Sequence, residues 1–145
     1  MRSELIVGSG KVLNLQAVDN YASFSSSLPQ EIVKEPRQYC ANWVDYYGTK
    51  YALKMLLLCE IDGDSGLPVF GQIQFIVVKG NRIVFVCESL GTVGYYPHVR
   101  GFEVVFGTQP VNWFCIEPEE LIDPSPLVHN KLSGESFVVL KRALY

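Results

Sequence analysis

The chain lacks any Cys-x-x-Cys pair. Its four cysteines, Cys40, Cys59, Cys87 and Cys115, stand 19, 28 and 28 residues apart. That spacing excludes a zinc ribbon or finger, whose ligands come in close pairs. Each thiol sits among apolar or aromatic neighbours, as in "LLCEI" and "WFCIE", so all four are expected to be buried and free. Free thiols suit a reducing compartment, and the expected location is intracellular, cytoplasmic or nuclear. Long apolar runs are also missing. The longest, such as Met55 to Cys59, are far too short to span a bilayer, so no membrane partner is expected. The start, "MRSELIVGSGK", has no secretory apolar region. A basic excess is absent too. Residues 1–72 carry 6 Lys/Arg against 8 Asp/Glu, and residues 73–145 carry 6 against 7. A nucleic-acid partner could therefore meet only a local patch. No internal repeat and no long helical stripe is found.

What is present favours strands. The 145 residues suit one domain, and a hydrophobic fraction of 48 % is enough to build a core. Val, Ile and aromatics are common, which favours β structure. Short apolar runs follow one another at turn-rich intervals. The expected fold is mostly β, a small antiparallel barrel or sandwich with one short helical turn over "EPEELIDPSP", stopped by Pro124. Gly71 inside "VFGQIQFIVVK" suggests a bulge or bend. "PVNWFCIE" and "ESFVVLKRAL" read as further strands. Residues 1–38 are rich in Ser, Pro and charge, and are expected to form a loosely structured arm or linker that adds a strand. Residues 39–145 are expected to form the β domain.

The sharpest local signal is "FIVVK-GN-RIVFVCE". A Gly-Asn pair between two β-rich runs is a hairpin turn, since both residues tolerate positive φ. It pairs Lys79 with Arg82, Val78 with Ile83, Val77 with Val84 and Ile76 with Phe85. Like charges facing each other are mildly destabilising, so Lys79 and Arg82 are expected to present charge to an anionic partner.

Catalytic patterns fit poorly. "GDSGLP" at 63–68 resembles the nucleophile block of trypsin-like proteases, but Leu67 replaces a glycine. Both histidines, His98 and His129, lie after Ser65, and turn formers between apolar strands explain the stretch. Calcium-loop spacing from Asp62 fails, because positions six and twelve hold Leu67 and Ile73. Cys115 with a histidine could form a nucleophile and base, but its apolar setting raises a thiol pKa. No catalytic residue, metal or cofactor is expected.

Aromatics concentrate in two segments. Trp43, Tyr46, Tyr47 and Tyr51 form one. Tyr95, Tyr96 and Phe102 form the other, with His98 and Arg100 among them. Such groups cage cationic side chains or stack on bases, besides filling cores. The candidate partner-binding set is Tyr46, Tyr47, Lys79, Arg82, Tyr95, Tyr96, His98 and Arg100.

The pattern "W-V-x-Y-Y-G-T-K-Y … L-P-V-F-G-Q-I … I-V-F-V-C … Y-Y-P-H-V-R-G-F-E-V", from Trp43 to Val104, resembles the β-rich C-terminal regions of large, uncharacterised animal proteins associated with mobile elements. Its strand, "P-V-F-G-x-I" entry and hairpin are more loosely similar to Tudor and bromo-adjacent-homology barrels. The resemblance implies a module of a larger protein and carries no catalytic signature. The expected function is a non-enzymatic interaction module for a protein or peptide partner. A nucleic-acid-associated module is the alternative, and a hydrolase using Ser65 or Cys115 is the third.

Overall fold

The computed structural model describes residues 4–35, 37–107, 112–127, 129–132 and 134–139. Its N-terminal part forms β1 (Leu5–Val7) and β2 (Gly10–Asn14), on either side of the Gly8-Ser9-Gly10 break. Two short helices follow, α1 (Tyr21–Phe24) and α2 (Gln30–Lys34). Next come β3 (Arg37–Ala41), β4 (Trp43–Tyr46), β5 (Thr49–Ala52) and β6 (Leu56–Ile61). The central hairpin is β7 (Pro68–Lys79) and β8 (Arg82–Ser89). β9 (Gly91–Tyr96), β10 (Gly101–Val105) and β11 (Trp113–Ile116) follow, then β12 (Asp123–Leu127), β13 (His129–Leu132) and β14 (Glu135–Val138).

The described strand pairs are antiparallel and form three open sheets. β1-β4-β5 and β13-β14-β10-β9 flank a central sheet ordered β11-β8-β7-β3-β2, to which β6 and β12 are added. The arrangement is sandwich-like, and the barrel alternative is not realised. β7 organises it by its length. Its first half pairs with β6, its second half with β3, and its other edge with β8.

The register of the β7–β8 hairpin is the one the turn chemistry predicts, from Lys79↔Arg82 to Ile76↔Phe85. Gly80 supplies a φ of 61° at the turn. The expected irregularity in β7 lies three residues beyond Gly71. Ile73 pairs with Cys87 and Phe75 with Val86, which leaves Gln74 as the extra residue. This bulge flips the side-chain phase, so Ile73 and Ile76 share a face.

The central sheet is consequently buried on both sides. Ile73, Ile76, Ile83 and Phe85 pack with Val44, Tyr51 and Leu57 on one side. Val77, Val84 and Val86 pack with Leu15, Phe24, Leu28 and Ile32 on the other. A third cluster joins Leu56, Leu58 and Phe70 to Phe102, Val104 and Val138. β6 is thus covered on both faces, which its unbroken apolar run requires.

The N-terminal segment differs from the expected loose arm. Leu15 and Phe24 have no exposure, and Ile32 is 1 % exposed. Burying each such side chain is worth roughly 1.5–3 kcal/mol. The expected boundary at 38/39 falls inside β3, which pairs with β2. Serine and charge made this segment read as linker, but its sparse apolar residues are those that cover the sheet. The expected helical turn is present as a 3-10 turn, Pro118–Glu120, with a capping box between Glu117 and Glu120. It ends before Pro124, which stands within β12 instead. The strand expected over 110–117 is seen from Trp113, and 110–111 lie outside the described residues. The last strand is seen over Glu135–Val138, and 140–144 lie outside them. Among the described residues, no helix is long and apolar enough to cross a membrane.

Candidate functional site

At the tip of the β7–β8 hairpin, the cations predicted to face a partner are engaged within the chain. Lys79 Nζ lies 3.0 Å from Glu35 Oε2. Arg82 donates Nε to Glu117 Oε1 at 2.7 Å and Nη2 to Glu117 Oε2 at 3.0 Å. Its Nη1 donates to Glu31 Oε1 at 2.5 Å. This fork geometry is the strong form of a guanidinium–carboxylate pair. Hydrogen bonding to Arg82 holds the Glu117 carboxyl below its usual range, and hydrogen bonding to Glu117 and then Glu31 raises the Arg82 guanidinium. The five residues tie α2 and the 117–120 turn to the hairpin. Sequence reasoning missed Glu31, Glu35 and Glu117, whose distance along the chain hides the pairing.

Tyr46 and Tyr47 lie at the β4–β5 turn. Tyr47 takes φ 52° and Gly48 φ 109°, and Gly48 N donates to Asp45 Oδ1 at 2.9 Å. The two rings meet edge to face at 4.8 Å. The Tyr46 hydroxyl donates to Glu119, and its pKa is raised by partial burial first and by Glu119 second. Lys50 Nζ lies 4.6 Å from the Trp43 ring centroid. A cation of the chain itself thus sits over that ring, and Tyr51 is buried. The 117–120 turn touches both Tyr46 and Arg82, so acidic residues link two of the predicted groups.

The third group shares one hairpin, β9–β10. Tyr95 is 49 % exposed and meets Phe102 edge-on at 5.0 Å. Tyr96 packs against His98 at 6.0 Å and Phe137 at 5.7 Å. A hydrogen bond with Glu103 raises the Tyr96 pKa. His98 and Arg100 are exposed in the turn, with Arg100 at φ 53°. Arg100 has no carboxylate partner among the described residues. β9 ends its sheet. Thr92 Oγ1 donates to Pro68 O at 2.8 Å, which covers the start of the strand. From Val93, itself 53 % exposed, the outer edge has no strand partner among the described residues.

Among the described residues, neither nucleophile candidate is joined to a base. Ser65 is exposed in its turn, donates Oγ to Asp62 Oδ2 at 2.7 Å, and accepts from Leu67 N at 3.2 Å. His129 packs on Phe106 and His98 on Tyr96. The four cysteines are free thiols. Burial pushes Cys40 and Cys115 up to about 11 and Cys59 up to about 12. Among the described residues, no group of three or more His, Cys, Asp or Glu is placed to hold a metal.

A hollow of about 400 Å³, not anticipated from the sequence, is lined by residues of β6, β7, β8, β11 and the 117–120 turn. Its walls come from strands far apart in the chain, so no local pattern in the sequence reveals it.

The fold and its exposed hairpin describe an antiparallel β-sandwich-like domain with an open sheet edge. Comparison with known protein families, curated proteins and solved structures finds no match.

Proposed function

We propose that the chain is a non-enzymatic interaction module that binds an extended peptide segment of a protein partner along β9 and the β9–β10 turn. One observation carries this reading: the edge from Val93 to Tyr96 offers unpaired backbone beside two half-exposed apolar side chains. A peptide adding there gains main-chain hydrogen bonds for affinity and contacts with Val93 and Tyr95 for selectivity. Exposed Arg100 and His98 favour acidic residues at the end of the peptide nearest the turn. The free thiols support an intracellular setting. The resemblance of residues 43–104 supports a place within a larger protein. The nucleic-acid alternative loses support because Lys79 and Arg82 are engaged by carboxylates.

Selection from a displayed random-peptide library, followed by amide chemical-shift mapping, tests the proposal. Extended, acid-bearing peptides are expected to shift residues 91–104. Replacing Tyr95 and Arg100 together with Ser is expected to weaken them roughly tenfold, about 1.4 kcal/mol. Binders that map elsewhere, or that tolerate the double replacement, overturn it.

A further inference from the structure

Side chains directly opposite across paired strands share a face. Phe114 stands opposite Cys87, and Gly71 stands opposite both Leu57 and Ser89. The hollow of about 400 Å³ has Phe114 and Ser89 among its lining residues. A Cβ at Gly71 would lie 2.8 Å from Phe114 Cζ and 3.3 Å from Cys59 Sγ, both wall residues. The hollow therefore has two of its walls seated directly over Gly71. Its volume lies within the usual range for small-molecule sites.

The lining is chemically one-sided. Val69, Phe114 and Cys59 supply apolar wall, and Asn112 adds an amide. Among the described residues, the charges are the carboxylates of Glu60 and Glu120, and no Lys, Arg or His lines the space. Glu60 is in no ion pair among the described residues. One oxygen of Glu120 accepts from Glu117 N at 2.9 Å, which leaves the other to act. A polar cleft with unbalanced negative charge beside apolar side chains selects for the opposite charge on an apolar body.

We infer that this hollow binds an organic cation, with its ammonium or guanidinium group held by Glu60 and Glu120 and its alkyl or aryl part against Val69, Phe114 and Cys59. Binding is non-covalent, since burial keeps the neighbouring thiols protonated at neutral pH. None of these residues belongs to β9 or β10, so the site stands apart from the peptide edge.

The test titrates the isotope-labelled chain with phenethylamine, with 2-phenylethanol as its uncharged counterpart, and with blocked arginine. Phenethylamine is expected to give saturable shifts at residues 59–60, 69 and 112–116. The alcohol should bind roughly tenfold more weakly, for lack of charge-assisted hydrogen bonds. Glu60→Gln with Glu120→Gln should bring the amine to the level of the alcohol. Glutamine keeps the capping acceptor at Glu117 N, so the turn is preserved. Binding of blocked arginine identifies a partner's side chain as the source, and binding of phenethylamine alone identifies a free amine. Equal binding of amine and alcohol to the natural chain overturns the inference without any variant. So does the absence of saturable shifts at these residues. Shifts at 91–104, followed in the same spectra, report separately on the peptide edge.

Discussion

Gly71 is held to its identity by space. Its Cβ would meet Cys87 Cβ at 3.0 Å besides the Phe114 ring, and Cys87 is fully buried between paired strands. The ring end can swing aside, but the Cys87 Cβ cannot. Alanine has less conformational entropy to lose than glycine on folding, a gain of about 0.4–1 kcal/mol. Overpacking costs about 1–3 kcal/mol, so it wins. Gly71→Ala should destabilise by about 1–2 kcal/mol in urea unfolding. Gly94 is the control. It also lies in a strand, but nothing stands within 4 Å of its Cβ position. Gly94→Ala should be neutral or slightly stabilising, and equal losses at both sites would refute the space argument.

Among elements, the β7–β8 hairpin and α2 depend on each other. Like charges at Lys79 and Arg82 face across the turn, and Glu35, Glu31 and Glu117 compensate them. The Arg82 side chain is 41 % exposed, so solvent screens each pair to about 0.2–1 kcal/mol. Arg82→Gln should therefore cost about 1 kcal/mol, and amides of residues 32–35 should exchange faster. Unchanged exchange there would show that apolar packing alone holds α2. The acid limb follows from Glu117, whose folded pKa lies below its unfolded value. Its stabilising contribution is present above the unfolded value and is lost as pH falls through the folded one. Arg82→Gln should remove that part of the acid sensitivity.

At the scale of the whole molecule, the interior sets the alkaline limit. Cys40, Cys59 and Cys115 rise from 9.0 to about 11, 12 and 11, and Tyr51 from 10.0 to about 12, burial being the first cause of each. Tyr51 is 1 % exposed and donates its hydroxyl to Pro124 O at 2.5 Å, a bond that needs the proton. These groups are acids that are neutral when protonated. Above pH 9 the unfolded chain releases protons that the folded chain keeps, so stability falls as pH rises. The contribution is full below pH 9 and disappears by about pH 12. The urea midpoint should stay level from pH 7 to 8.5 and drop steeply by pH 11, as the free energy of unfolding falls by on the order of several kcal/mol. A midpoint unchanged at pH 11 would mean that the thiols and Tyr51 are not buried as described.

The sequence by itself determined the β class, the β7–β8 register, the exposed Ser65 turn and the apolar setting of the thiols. These are local properties: alternation, turn chemistry and near neighbours set them within a few residues. It also marked the β9–β10 hairpin through Tyr95, Tyr96, His98 and Arg100, which are adjacent in the chain. Tertiary structure alone decided what covers each face. Leu15, Phe24, Leu28 and Ile32 are too sparse to show a period, and they became core only because the sheet offered Val77, Val84 and Val86. The partners of Arg82 lie 51 and 35 residues away, so its pairing depends on how α2 and the 117–120 turn dock. The hollow is decided in the same way. Periodicity reports that a side chain seeks cover, but a cavity exists only where Cys59, Val69, Phe114 and Glu120 are brought together and leave a volume unfilled.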